Sequence, residues 1–217
     1  MISIRNLTKK YKSQIILDDV NLVFNKNISF LLGNNGVGKS TLINILAGII
    51  KYNSGFIFID NKLLDFNDHT YKNNIGFLID YPTYPTQFTV KEYIDLLNYI
   101  YNNNSKHQNI NQDILIDFFE LRIYMNTKIS DLSTGYVKRV KLLASMLHEP
   151  DIFIWDEPFS GIDKIFLPKL FTKIKALSSE GKFFIIASHN SQINSFEFPD
   201  SSKFIIINNK IIFDYEK

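Results

Sequence analysis

The stretch Gly33-Asn34-Asn35-Gly36-Val37-Gly38-Lys39-Ser40-Thr41 follows directly on the apolar run Ile28-Ser29-Phe30-Leu31-Leu32 and satisfies the spacing G-x-x-x-x-G-K-[ST]. Holding a phosphate requires a strand that stops abruptly, a glycine-rich turn whose N–H groups converge, and a helix whose positive end faces the same anion. All three can be read here. Leu42, Ile45, Leu46 and Ile49 recur at i, i+3, i+4 and i+7, which predicts a helix after the turn, with Gly48 an interruption near its end. Lys39 is then placed to reach the β- and γ-phosphates of a nucleotide, and the Ser40 hydroxyl to ligate Mg²⁺.

The chain around this stretch has 217 residues, enough for one well-buried domain and too few for two of ordinary size. Hydrophobic residues at 45% and charged residues at 21% place it among globular proteins. A formal net charge of +2 is too weak to suggest a nucleic-acid partner, and the one basic tract, Lys9-Lys10-Tyr11-Lys12, is short. With no cysteine, a disulfide framework and a thiolate metal site are both excluded. The N-terminus lacks the apolar core of a signal peptide, and no run reaches the length of a membrane span. A function at a membrane would need another chain to cross it.

Upstream of the glycine-rich turn, Ile2 and Ile4 alternate, as do Val20, Leu22 and Phe24, and both read as strands. Downstream, Gly55–Ile59 is a strand followed by a turn at Asp60-Asn61-Lys62, and Ile75–Ile79 is a short buried strand. From Asp80 the texture changes, because Pro82 and Pro85 remove N–H donors and turn their predecessors away from helix. Thr89, with Glu92 three residues on, reads as a capping box before a helix with the stripe Tyr93, Leu96, Leu97 and Ile100. A second helix carries Ile114, Leu115, Phe118, Phe119 and Leu121. Residues 80 to about 145 thus read as a helical insertion. Strand and helix alternate again afterwards: Ile152–Trp155, a stripe from Leu167 to Leu177 that Gly181 ends, Phe183–Ala187, and a hairpin about Asn208-Asn209-Lys210.

A phosphate loop alone does not choose among kinases, GTPases and motor ATPases. The stretch Asp151-Ile152-Phe153-Ile154-Trp155-Asp156-Glu157-Pro158 discriminates, because an apolar strand here presents two adjacent carboxylates at its C-terminal end. In a parallel α/β sheet that end lies beside the phosphate loop. Asp156 is suited to holding Mg²⁺ in the second shell and Glu157 to polarising an attacking water; the plainer alternative is a helix cap after a strand. Between the two carboxylates and the loop, Leu132-Ser133-Thr134-Gly135-Tyr136 opens a helix on Val137, Val140, Ala144 and Leu147, with Lys138, Arg139 and Lys141 on its other face. Exposed N–H groups there make an anion site, or Ser133 is an ordinary N-cap.

Taken in order, these residues resemble an ATP-binding cassette (ABC) ATPase, the nucleotide-binding subunit of ABC transporters. Residues 33–41 resemble its Walker A loop, Leu132 to Tyr136 its Leu-Ser-Gly-Gly-Gln signature, and Asp151 to Pro158 its Walker B strand with the catalytic glutamate. Ser160-Gly161-Ile162-Asp163 is similar to the D-loop, His189 to the switch histidine, and Tyr11 to the aromatic that stacks on adenine. The resemblance implies an α/β fold: a P-loop NTPase (RecA-like) core, an N-terminal antiparallel β subdomain and an α-helical subdomain. The approximate division is 1–79 and 146–217 for the core and 80–145 for the helical part. It also implies ATP and Mg²⁺ as cofactors, with Glu157 and His189 catalytic. Two cassettes, two copies of this chain or this chain and a second ABC ATPase, would bind head to tail, Ser133 and Gly135 of one completing the γ-phosphate site of the other.

Three positions depart from the family. Asp80 stands where the family places a Gln that touches Mg²⁺, and an acidic residue there resembles the bacitracin and lantibiotic self-protection exporters, which carry Glu. Being shorter, Asp80 is expected to reach the metal through a water. Thr134 and Tyr136 replace a Gly and the Gln of the signature. The expectation is an ATPase subunit on the cytoplasmic face of the cell membrane, energising export through a separate transmembrane subunit. The alternatives are a cassette ATPase acting on ribosomes or nucleic acid, and a P-loop kinase. The transported substrate is not written in the chain.

Overall fold

The computed structural model describes residues 1–79, 85–102, 112–189, 198 and 200–213. Two sheets form. In the first, β1 (Ile2–Tyr11), β2 (Gln14–Phe24), β4 (Ser54–Ile59) and β5 (Lys62–Leu63) lie antiparallel in the order β2-β1-β4-β5. In the second, β3 (Ile28–Leu32), β6 (Ile75–Leu78), β7 (Ile152–Asp156), β8 (Phe183–Ser188), β9 (Ser201–Ile207) and β10 (Lys210–Phe213) take the order β10-β9-β3-β8-β7-β6. All of its pairings are parallel except the β9–β10 hairpin. Five helices accompany them: α1 (Lys39–Leu46), α2 (Val90–Asn102), α3 (Gln112–Phe118), α4 (Thr134–Met146) and α5 (Phe166–Ser179). The expected α/β architecture with an N-terminal antiparallel sheet is the one observed.

The central strands are apolar on both faces because both faces are covered. Leu31, Ile154 and Ile185 point with α1 toward the antiparallel sheet, packing among Ile4, Leu17, Phe24 and Ile57. Phe30, Phe153, Trp155 and Phe184 point the other way, onto α4 and α5 through Leu143, Met146, Leu170 and Phe171. Each such side chain contributes about 1.5–3 kcal/mol on burial, so the sheet is the rigid frame on which the loops at its ends are held.

Several boundaries differ from the sequence reading. β2 begins at Gln14, well before Val20, because the β1–β2 ladder slips in register and the side-chain alternation breaks there. At that slip Asn6 and Asp19 both take positive φ, near 49°, and Asn6 Nδ2 donates to Asp19 Oδ1 at 2.8 Å. The first helix stops at Leu46, not beyond Ile49. Gly48, at φ 67°, donates to the Ile45 carbonyl and Ile49 N–H to that of Asn44, a Schellman ending that leaves Ile49 exposed. In α2 the buried face is Val90 and Ile94, with Leu96 and Ile100 turned out; in α3 it is Leu115 and Ile116, with Ile114 exposed. Tyr93, Leu97, Phe118, Phe119 and Leu121 pack on the core as the spacing predicts; apolar residues occupy more than one face of these helices, so spacing alone also admits outward-facing ones. The capping box holds: Thr89 N–H donates to Glu92 Oε2 at 2.8 Å, and Glu92 N–H to Thr89 Oγ1 at 3.2 Å.

Candidate functional site

Three loops leave the same end of the parallel sheet from adjacent strands. β3 runs into residues 33–38, β7 ends at Asp156 and passes into Glu157, and β8 ends at Ser188 before His189. The register brings them level, with Leu32 opposite Ser188 and Asp156 opposite Ala187. Together with the start of α4 they bound a cleft of about 1060 Å³, at the carboxyl edge where open α/β sheets bind ligands.

Residues 33–38 curl around the Lys39 side chain. Its Nζ donates to the Gly33 carbonyl at 2.7 Å and the Asn34 carbonyl at 3.0 Å, and the residue is only 5% exposed. Gly38 sits at φ 115°, a conformation that costs a side chain about 1–2 kcal/mol. Asn35, Gly36, Gly38, Lys39, Ser40 and Thr41 line the cleft, and Val37 packs toward the core over Gly33. The N-terminus of α1 carries no side-chain cap, so its first N–H groups have no cap side chain over them.

Opposite stands Glu157. Its N–H continues the ladder to Ala187 O at 2.9 Å, but its φ is +47°, which turns the chain sharply off the strand. Residues held this way cost about 1–3 kcal/mol and cluster at functional sites. The Glu157 Oε1 lies 2.7 Å from His189 Nδ1 and 3.7 Å from Lys39 Nζ. Lys138, from α4, donates to the Glu157 carbonyl at 3.0 Å. The cleft is therefore lined by Lys39, Lys138, Lys141, Glu157 and His189; Lys138 is engaged on the Glu157 main chain, and Lys39 and Lys141 give the lining a cationic character suited to a polyphosphate.

Ser133 caps α4, its Oγ accepting from Tyr136 N–H at 3.4 Å, and Thr134 lines the cleft. Gly135 lies against the loop after Glu157, where a Cβ would stand 2.9 Å from Gly161 O. Residues 17–160, which hold Ser133, Thr134 and Gly135, match the family described as ABC transporter. The chain belongs to the ABC transporter family. It is an ABC ATPase, an ATP-binding cassette. An uncharacterised ABC transporter ATP-binding protein, MJ1023 of Methanocaldococcus jannaschii, is 33% identical over 192 residues, spanning 87% of this chain and 68% of that protein. The cytochrome c biogenesis ATP-binding export protein CcmA of Reclinomonas americana is 30% identical over 217 residues, 97% and 93% of the two chains. A dimeric structure of the ATP-binding cassette MJ0796, in a post-hydrolysis state with ADP and Pi, has a TM-score of 0.83 over 99% of this chain and 98% of that one. At 22% identity it shows the fold.

The remaining expected positions of this ABC ATPase are placed as follows. Asp156 is buried at the end of β7. Tyr11 ends β1 at 47% exposure with Lys9 Nζ 4.4 Å above its ring, and is not among the residues that line the cleft. Tyr136 turns to Tyr124 at 4.3 Å between ring centroids, and a hydrogen bond with that phenol raises its pKa. Asp163 caps α5, accepting from Phe166 N–H at 2.8 Å and Ile165 N–H at 3.1 Å, and is paired with Arg139. Asp80 lies outside the described residues.

Sequence reasoning missed two residues. Arg139 reads only as one of three basic residues on the other face of α4, yet it is 4% exposed and bridges Asp163 and Glu120. Lys138 shares that face by spacing, and its bond to the Glu157 backbone spans 19 residues, beyond any local pattern.

Proposed function

We propose that this ABC ATPase hydrolyses ATP at the cleft and energises export through a separate transmembrane subunit, docked on the cytoplasmic face of the membrane. The observation that carries the hydrolytic reading is the Glu157 carboxylate, set between the His189 imidazole and Lys39 at the mouth of the phosphate loop. In this reading the N–H groups of residues 33–41 and Lys39 bind the phosphates, and Glu157 takes the proton of the attacking water while His189 holds that water and the γ-phosphate. Tyr11 stacks on adenine. Ser133, Thr134, Gly135, Tyr136 and Asp163 of a second cassette close the site head to tail, supplying N–H groups where no arginine lines the cleft.

The donors fit magnesium. Ser40 lines the cleft and Asp156 ends β7, separated from β3 by β8 alone, and a hydroxyl with a carboxylate is the hard-oxygen set that Mg²⁺ takes beside phosphate and water. Among the described residues no group of three or more acidic, His or Cys side chains forms a metal cage, which suits a site completed by the nucleotide. Held there by Ser40 and Asp156, with Asp80 as a third candidate ligand, the ion would neutralise charge on the phosphate oxygens.

No helix among the described residues is long and apolar enough to cross a membrane, so a transport role calls on a partner. The helices between β6 and β7, within the 80–145 subdomain, are the surface we assign to it; export rests on the acidic Asp80 alone. The test is Mg²⁺-dependent phosphate release by wild type and Glu157→Gln, with size-exclusion chromatography in ATP. Release that vanishes in the variant, with an ATP-dependent dimer, is expected. Wild-type release from Glu157→Gln would remove Glu157 as the base, and a monomer in ATP would remove head-to-tail closure by a second copy of this chain.

A further inference from the structure

The loop that follows Glu157 is fastened to the start of α4 at three points. Gly135 packs against Gly161 so closely that a Cβ would stand 2.9 Å from its carbonyl oxygen. Arg139 grips Asp163. Between them, Lys138 Nζ donates to the main-chain carbonyl of Glu157 itself at 3.0 Å. That carbonyl belongs to a left-handed residue, φ +47°, and its other acceptor contact, from Ser160 N–H, is long at 3.3 Å. A glutamate forced into this conformation holds it only while its surroundings over-determine it. On one side the Ala187 carbonyl fixes the Glu157 N–H; on the other the ammonium fixes its C=O.

We infer that Lys138 is a positioning residue for Glu157: its bond to the Glu157 carbonyl ties the backbone that aims the carboxylate to the helix that carries Ser133 to Tyr136. The inference rests on the reading of Glu157 as the base. Because α4 is packed as a rigid element through Val140, Leu143 and Met146, a displacement at its N-terminus reaches Glu157 through Lys138. The stretch Ser133 to Gly135 is then coupled to the base in the same chain, besides any contact it makes to a second cassette. A lysine suits the task because its ammonium offers three donors on a stem long enough to cross from helix to strand end.

The test compares Lys138→Met, which keeps the stem and removes the donor, with Lys138→Gln, which restores an N–H donor, alongside wild type and Glu157→Gln. Two quantities are read: kcat against the ATP dissociation constant, and amide exchange across residues 156–161 in nucleotide-free protein. Lys138→Met is expected to lower kcat about 10²-fold, the scale of a misplaced catalytic group, with the dissociation constant unchanged within about threefold. Its Glu157 amide should exchange faster, and Lys138→Gln should recover most of both losses. Wild-type kcat and exchange in Lys138→Met would overturn the inference, as would a Lys138→Gln no better than Lys138→Met. A dissociation constant that weakens in step with kcat would make Lys138 a nucleotide ligand instead. If Glu157→Gln hydrolyses ATP like wild type, the reading of the base fails, and the exchange data alone then decide whether Lys138 holds the loop.

Discussion

The Nδ1 of His189 lies 2.7 Å from Oε1 of Glu157, although 32 residues separate them and they leave different strands. The same oxygen is 3.7 Å from Lys39 Nζ. One carboxylate oxygen thus faces both an imidazole and the lysine of the phosphate loop, and any phosphate that recruits Lys39 also alters the field on Glu157. If His189 orients the water that Glu157 deprotonates, His189→Ala should lower kcat by about 10²-fold or more while ATP binding stays near wild type. Stopped-flow binding and steady-state phosphate release separate the two. Weaker binding with unchanged kcat would make His189 a ligand of the ground-state nucleotide only.

Gly36 and Gly38 both have positive φ, 81° and 115°, but their surroundings differ. A Cβ on Gly36 meets nothing within 4 Å, whereas one on Gly38 meets Ile16 Cγ2 at 3.0 Å. Gly36→Ala should therefore cost the conformational strain alone, about 1–2 kcal/mol. Gly38→Ala should cost more, because Ile16 must shift within a packed layer, and should also displace the N–H groups that open α1. Urea denaturation is expected to rank Gly38→Ala below Gly36→Ala; equal losses would show that Ile16 yields freely.

The phosphate loop, the paired carboxylates and the Asn208-Asn209 hairpin were legible because each is written within a few consecutive residues: a strand, its turn and the next element. Asn208 and Asn209 adopt φ 48° and 64°, as a two-residue hairpin requires. What spacing could not show is where side chains meet across the fold. Arg139 occupies a polar position of α4, and only Glu120 and Asp163, 19 and 24 residues away, reveal that it is buried. Tyr136 reads as part of the signature, and nothing in its spacing shows that its ring also meets Tyr124. The first half of β2 was hidden for a local reason, since the Asn6–Asp19 irregularity cancels the period-two pattern.

The Arg139 cluster predicts a pH dependence. Hydrogen bonds from Lys169 and Arg139 hold the Glu120 carboxyl below its ordinary value of 4.5. Burial pushes Asp163 up, but the Phe166 N–H and Arg139 outweigh it and hold this carboxyl below its ordinary 3.8. Both groups are more acidic folded than unfolded, so their contribution is complete above the unfolded values and is lost as pH falls through the folded ones. Because Glu120 and Asp163 side chains are 41% and 50% exposed, solvent screens the pairs. Arg139→Met should thus cost only about 1–2 kcal/mol at pH 7. Urea denaturation at pH 7 and below pH 4 should show the gap between wild type and variant narrowing in acid. A gap independent of pH would assign the loss to the stacking of the guanidinium on Phe166 and Tyr136.

Trp155, the single tryptophan, precedes Asp156 and Glu157 in β7, and its ring is fully buried between Phe153 and Phe184, at 5.4 and 5.3 Å between centroids. It points away from α1, into the layer beneath α4 and α5, so it supports the strand end from the side opposite the phosphate loop. Trp155→Ala opens a cavity under two aromatic rings and should cost about 3–5 kcal/mol. Trp155→Phe keeps one ring in the stack and should cost about 1–2 kcal/mol, a smaller loss because less volume is left empty. Unfolding must be followed by far-ultraviolet circular dichroism, since the fluorophore is removed. The decisive comparison is hydrolysis in Trp155→Phe: if the ring only supports the strand, kcat should follow the stability loss and recover at lower temperature. A kcat deficit that persists where the variant is fully folded would mean that the ring also sets the position of the carboxylates beside it.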